Sequence, residues 1–201
     1  MLSLMLLGSA ALLAPLDGPP VLSSPVYSLA TLNPDGSTNM QILTYATPVG
    51  IAPRTWALSL YRPTQTHANF KARRSGVLQL LTEKHANLVY LLGGQSGNDI
   101  DKAAACKEAG FAWLDAPDMV DEGGWAGGGP QLLPGCAAYV RLVQEDGDEL
   151  RAFGEHEMAV CRVDGMLGDS DAADFDGALS TRACRDLGLI TDRGKAIPPE
   201  C

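Results

Sequence analysis

The sequence contains few basic residues. Fifteen lysines and arginines stand against 24 aspartates and glutamates, so the formal net charge is −9. A nucleic acid or an anionic membrane needs a basic binding surface, and this charge balance therefore argues against both as partners. An anionic cofactor stays open, because such a ligand needs only a local cluster of positive groups.

Patterns for disulfide bonds and metal sites are also lacking. The five cysteines are scattered and odd in number, and no Cys-x-x-Cys occurs. We therefore expect neither a disulfide framework nor a zinc site, and we predict that the cysteines are buried, reduced thiols. There are only three histidines and no paired acidic cluster, so no metal site is predicted.

No apolar run is long enough for a comfortable membrane span. The apolar N-terminal run covers residues 1–14, and stable membrane insertion is not expected from it. It resembles the apolar part of a signal peptide, with Ser9-Ala10-Ala11 as a candidate cleavage zone, although basic residues do not precede it. Two interpretations stay open: a targeting segment (to a plastid or along the secretory route) or an apolar tail on a cytoplasmic protein.

Length and composition predict one domain with tails. The chain has 201 residues, and 46% of them are hydrophobic, which is enough for a core. Residues 1–25 would hold the targeting segment and a proline-rich linker, and residues 26–165 would form the domain. Residues 166–201 would hold an acidic connector and a C-terminal helix over 179–187, docked on the domain or clasping a second copy.

Two strands and a helix are predicted in the part of the chain with the clearest pattern. β-branched and aromatic residues predict strands over 38–47 and 56–61, and prolines and glycine at 48–53 break the first. A helix over about 67–74 follows, capped by Thr64 or Thr66.

This helix N-terminus is a candidate phosphate site. Free N–H groups, hydroxyls and an arginine favour an anion, and here Arg62, Thr64 and Thr66 would supply donors, with Asn69 adding an amide. The alternative is that the threonines only cap the helix and that Arg62 is solvated.

The remaining elements follow from turn and helix signals. Asn33-Pro34-Asp35-Gly36 predicts a hairpin turn, and the glycine-rich stretch 93–97 is a loop, because no Gly-Lys-Ser/Thr follows it. Lys102 and Lys107 are expected to be solvated. Residues 118–135 are expected to form a mobile loop of the kind that often acts as a lid, and Trp125 in its middle could either fold over a ring or plug a core edge. Further predicted strands are 26–32, 77–81, 136–144, 149–153 and 156–163, with 136–144 and 149–153 forming a hairpin, and further helices are 87–92 and 101–109.

Several of these pieces, in this order and spacing, resemble the flavin reductase-like, FMN-binding split-barrel family. The matching residues are Asn39 and Thr44, the strand end at 59–62, then Thr66, Asn69 and Gly76, the apolar strand 77–81, and Gly154-Glu155-His156. The resemblance covers about residues 26–165.

The resemblance implies a mainly β fold, a β-barrel with α-helices that pairs as a homodimer. FMN would lie between the protomers, and hydride would pass from NAD(P)H to flavin N5. Arg62, Thr64, Thr66 and Asn69 would bind the phosphate. His156 is a candidate for a catalytic position near the nicotinamide, or a structural histidine. The ring would lie along Asn39, Gln41, Ile42, Leu43, Thr44 and Tyr45, with Ser59 and Tyr61 on the neighbouring strand.

Other functions stay open at this point. FAD could replace FMN, and the donor could be NADH or NADPH. The final electron acceptor could be free flavin, a partner oxygenase, ferric iron or oxygen. A non-catalytic flavin-binding protein and a haem-binding split barrel, with His67, His85 or His156 as ligand, are the alternatives to a reductase.

Overall fold

The computed structural model describes residue 15 and residues 20–116, 129–145, 147–168 and 177–199. Three predicted features lie outside the described residues: the apolar run 1–14, the part of the lid that contains Trp125, and the acidic connector 169–176.

In the described residues, eight antiparallel strands form one sheet, in the order β2-β1-β5-β6-β8-β4-β3, with β7 paired to β8. β2 and β3 form the two edges, and no ladder joins them in the described residues, so the barrel stays split. The predicted mainly β, split-barrel fold is confirmed. The strands are β1 (Tyr27–Leu32), β2 (Thr38–Leu43), β3 (Ala46–Ile51), β4 (Arg54–Tyr61), β5 (Ser75–Leu80), β6 (Ala138–Val143), β7 (Arg151–Phe153) and β8 (His156–Gly168).

Short helices cover one side of the sheet and one end of the barrel. They are α1 (Gln65–Arg73), a 3-10 helix (Glu83–Leu88), α2 (Val89–Gly93), α3 (Lys102–Glu108) and α4 (Thr181–Asp186). Within the ranges that the structure describes, no helix has the length and apolarity needed to cross a bilayer.

The central strands β1 and β5 are buried on both faces. Leu29 and Leu78 point into the barrel, whereas their neighbours Ala30 and Val77 pack against the helices, because side chains alternate along a strand. Two hydrophobic clusters result. The barrel cluster also contains Leu58, Phe70, Leu142, Ala159 and Cys161, and the helix-side cluster contains Met40, Leu88, Leu92, Leu133, Leu179 and Cys184.

The predicted strand 38–47 is in fact two strands. β2 ends at Leu43 and pairs with β1, whereas β3 begins at Ala46 and pairs with β4. Pro48 and Gly50 do not end β3, contrary to the prediction. β3 is an edge strand, where proline is tolerated, and its register shifts between Pro48 and Gly50, as in a bulge.

The predicted hairpin between the strands now numbered β6 and β7 is wrong. β6 pairs with β5 and β8, and β7 pairs with β8. β8 is 13 residues long, so β7 can pair near its start while β6 pairs near its end. The turn after β6 is held instead by Arg74, whose guanidinium donates to the carbonyl oxygens of Glu145 and Asp148.

The C-terminal segment docks on the domain. Leu179, Cys184 and Ile190 belong to the helix-side cluster, and the N–H of Val26 donates to the carbonyl of Leu179 at 2.8 Å. This agrees with a tail helix packed on the domain. The four cysteines in the described residues are free and buried, as predicted: Cys106, Cys136, Cys161 and Cys184.

Candidate functional site

The N-terminus of α1 is fixed by its cap. The Thr64 hydroxyl accepts a hydrogen bond from the N–H of His67 at 3.2 Å and donates to the Tyr61 carbonyl at 2.7 Å. The capping interpretation of Thr64 is therefore confirmed. The other first-turn N–H groups have no partner inside the helix, and they give this end a partial positive charge. They lie at a cleft of about 210 Å³.

Residues 93–97, which begin at the last residue of α2, form another wall of this cleft. A Cβ atom at Gly94 would lie 2.5 Å from the ring of Tyr90, and one at Gly97 would lie 2.4 Å from Oδ1 of Asn39. Both positions are therefore too close to their neighbours for any side chain. Gly97 lets the backbone of this loop approach β2 directly, whereas Gly94 lies against the Tyr90 ring of α2.

Asn39 and Thr66 form the floor of the cleft. Nδ2 of Asn39 donates to Oγ1 of Thr66 at 2.8 Å, and both residues are buried. Because the Thr66 oxygen accepts this bond, its own proton is left to donate elsewhere. Gln41 lies two residues along β2 and also lines the cleft.

Lys102 adds a buried cation, and the prediction that it is solvated is wrong. It is only 6% exposed, and its Nζ donates to the carbonyls of Met40 at 2.9 Å and Leu92 at 3.1 Å. An ammonium group has three donors, so one remains for the cleft that Lys102 lines. Burial lowers the pKa of Lys102 from 10.5 to about 8.

The structure brings five of the predicted cofactor-binding residues to this cleft, and it places four others elsewhere. Leu43 packs against the barrel cluster, and the N–H of Ser59 donates to the Tyr45 carbonyl. The Arg62 guanidinium donates to the Gly154 carbonyl, and Asn69 donates to Asn33 at 2.8 Å and to Thr31 at 3.2 Å. The residues at the cleft are Asn39, Gln41, Tyr61, Thr64 and Thr66.

The three remaining residues, Ile42, Thr44 and Tyr45, line a separate cavity of about 930 Å³. N-terminal residues 20–26 and residues from the C-terminal segment complete its walls. Gly93 lines both spaces, so this cavity adjoins the cleft.

His156 lies in an aromatic group beside the cleft. Its ring centre is 5.8 Å from that of Tyr45 and 5.3 Å from that of Tyr61, and His156 is half-buried. Tyr61 lines the cleft, so the group connects the start of β8 with the cleft mouth.

The other two histidines have protein partners. Nε2 of His67 lies 2.8 Å from Oε2 of Glu157, and this hydrogen bond is the main cause that lowers the pKa of Glu157. His85 uses both ring nitrogens, on Thr82 and on the Pro134 carbonyl. Glu157 holds the Nε2 of His67, and both ring nitrogens of His85 are occupied, so the geometry does not favour either histidine as a haem ligand. In the described ranges, no group of three or more His, Cys, Asp or Glu residues could hold a metal ion.

Sequence reasoning missed the loop 93–97 and Lys102. The loop lacks a phosphate-loop signature, and only the fold brings it opposite α1. Lys102 did carry a signal: it follows the N-cap Asp101 directly, at the positive end of α3, where the helix dipole disfavours a cation. A lysine at that position indicates a constraint other than helix stability.

Known proteins were compared with the chain. Among solved structures, it is similar to flavoredoxin from Methanosarcina acetivorans, with 13% identity, a TM-score of 0.64, and 85% of this chain and 82% of that chain covered. It is also similar to the NADH:FAD oxidoreductase of Streptomyces globisporus C-1027, with 12% identity, a TM-score of 0.57, and 74% of this chain and 77% of that chain covered. A third similar structure is the FMN-binding protein from Thermus thermophilus, with 19% identity, a TM-score of 0.58, and 95% of this chain and 87% of that chain covered.

Identities this low show a shared fold, and a search of curated proteins gave no significant match. The model of the flavin reductase like domain matches residues 21–186, which is well over half of the chain. The chain therefore belongs to the flavin reductase-like family.

Proposed function

We propose that this chain binds FMN and acts as an NAD(P)H-dependent flavin reductase, with the flavin phosphate in the cleft between α1 and residues 93–97. The observation that carries the proposal is the cleft, where a helix N-terminus, a glycine-rich backbone and a buried ammonium group converge. Family membership supports it, as do similar structures named as an NADH:FAD oxidoreductase and an FMN-binding protein.

The residues at the cleft suit a phosphate group. First-turn N–H groups of α1, the Thr66 hydroxyl and the Lys102 ammonium are all donors, and an anion receives charge-assisted bonds from such groups. The cleft of about 210 Å³ is smaller than the roughly 300–1,000 Å³ of whole-ligand pockets. It therefore suits the phosphate end of a flavin, and the ring would lie on the adjoining surface.

When bound, FMN supplies a ring that accepts a hydride from NAD(P)H. The protein's task is then to hold two nucleotides in a fixed relative orientation, which by itself gives a large rate advantage. The phosphate cleft anchors one end of the flavin. Tyr45, Tyr61 and His156 give an aromatic surface at the mouth of the cleft, suited to cover a planar ring.

We further propose a homodimer through the outer face of β4 and β8. Leu58 and Ala159 are paired and buried in the barrel, so the next pair along the ladder, Ala57 and Val160, points outward. Val160 is 42% exposed, and the apolar side chain of Phe153 on β7 is 55% exposed. An exposed apolar strip on a sheet face is typical of a protein–protein contact.

The activity is tested by anaerobic absorbance spectroscopy. The protein is loaded with FMN, and NADH or NADPH is then added. Loss of the visible flavin absorbance at a rate above that of free FMN is the expected result. Bound FMN that neither nucleotide bleaches faster than free FMN would instead identify a non-catalytic flavin-binding protein. Uptake of haem in place of flavin would contradict the proposal.

A further inference from the structure

The second cavity, of about 930 Å³, lies between the end of β2 and the C-terminal segment. Its volume is in the range of small-molecule sites. Among the described residues that line the two spaces, Gly93 alone is common to this cavity and the phosphate cleft. Much of its wall is apolar. The side chains come from the segment before β1, from β2, from α2 and from the segment after α4: Val21, Leu22, Val26, Ile42, Val89 and Ile190.

The charged residues at this cavity give it a positive balance. Among the described residues that line it, Arg185 and Arg193 stand against one acidic residue, Asp192, which leaves one net positive charge. The whole chain, in contrast, carries −9. An apolar space with a local cationic rim on an acidic protein favours ligands that are apolar in body and negative at one end.

Arg185 is incompletely hydrogen-bonded. Within the described part of the chain, its buried Nε has no hydrogen-bond partner, and its Nη1 donates one long hydrogen bond, of 3.4 Å, to the Leu22 carbonyl. A buried donor without a partner costs free energy, and an anionic oxygen is the strongest partner that a guanidinium can receive. Because this Nε is closed to solvent, a carboxylate or sulfonate in the cavity would contact the Nη end of the guanidinium, where Nη1 makes one long hydrogen bond.

We propose that this cavity binds a small aromatic anion, of the aryl carboxylate or aryl sulfonate class. Arg185 contacts the anionic group, and the apolar wall covers the ring. The inference goes beyond the proposed function and does not depend on it, because neither Arg185 nor the apolar wall residues named above line the phosphate cleft.

The test uses the full chain and two fluorescent probes of nearly the same shape. 1-Anilinonaphthalene-8-sulfonate carries an anionic group, and N-phenyl-1-naphthylamine has the same rings without it. Arg185→Gln should weaken binding of the sulfonate probe about tenfold and leave the neutral probe unchanged. Arg182→Gln is the matched control, since Arg182 lies on the same helix but is exposed and does not line the cavity, and it should change neither affinity.

A second variant tests the location without changing a charge. Val21 lines the cavity and is 60% exposed, so Val21→Trp should fold and occupy part of the space. Both probes should then bind at least about fivefold more weakly. The proposal is overturned if the wild-type chain shows no saturable one-site binding of the sulfonate probe. It is also overturned if Arg185→Gln and Arg182→Gln behave alike, or if Val21→Trp leaves both probes unchanged.

Discussion

At the residue scale, Lys102 is a buried cation held by backbone carbonyl groups. Burial lowers the pKa of Lys102 to about 8 in the folded state, so the folded protein loses this proton at a lower pH than the unfolded chain does. Between this value and the ordinary 10.5, the unfolded chain keeps the proton and the folded chain releases it. The contribution of Lys102 to stability therefore rises with pH across this window, and below it the buried charge is a cost.

Replacing Lys102 with methionine should remove this pH dependence. We predict that from pH 8 to 10.5 the free energy of unfolding of the wild type rises, relative to that of Lys102→Met, by up to about 3 kcal/mol. Urea unfolding at several pH values measures the difference. The comparison of variants is needed because burial raises the pKa of Cys136 and of Cys161 to about 12, which acts in the opposite direction in both proteins.

Lys107→Met is the control, because Lys107 is exposed on the same helix. It should follow the wild type at every pH. A constant difference between the wild type and Lys102→Met over the whole window would show that the Lys102 proton is not linked to folding.

Local sequence predicts contacts between near neighbours in the chain better than it predicts contacts between distant residues. Thr64 was predictable as a cap, because capping depends on neighbours three residues away. Asn69 was expected at a phosphate, but its amide joins α1 to the β1–β2 hairpin through Thr31 and Asn33. Those partners are 38 and 36 residues distant, and only the fold brings them together.

At the scale of elements, the cleft depends on the close approach of the loop 93–97 to β2. Gly97 faces Oδ1 of Asn39, and the same Asn39 side chain positions the Thr66 hydroxyl. A side chain at Gly97 must therefore displace either the loop or the floor of the cleft.

Gly97→Ala should weaken FMN binding at least about tenfold, since loss of one charge-assisted phosphate bond costs about 1.5–3 kcal/mol. Gly165→Ala is the matched control, because a Cβ there meets nothing within 4 Å. Flavin fluorescence titration gives both dissociation constants. If Gly97→Ala binds FMN as tightly as Gly165→Ala, the loop does not shape the phosphate site.

At the scale of the whole molecule, the sheet order was harder to predict than the strands themselves. Strand positions follow from alternation and turns, so β1, β4, β5 and β8 were found from the sequence. The pairing of β6 with β8, rather than with β7, depends on the length of β8 and on long-range contacts of Arg74. Neither is visible in a local pattern.

The outer face of β4 and β8 should hold two copies together. Val160→Arg places a charge in the middle of this face and should convert the dimer to a monomer, because an unpaired charge is costly at a buried interface. Leu187→Arg is the control: Leu187 is 62% exposed at the end of α4, away from this face. Sedimentation equilibrium reports both masses. A Val160→Arg protein with the mass of the wild-type dimer would place the interface elsewhere.

The phosphate cleft is tested by comparing the affinities of the wild-type protein for FMN and for riboflavin. Riboflavin has the same ring and ribityl chain but no phosphate. Two or more charge-assisted bonds, at about 1.5–3 kcal/mol each, predict that FMN binds at least about 100-fold more tightly than riboflavin. Equal affinities of the wild-type protein for the two flavins would contradict a phosphate site between α1 and residues 93–97.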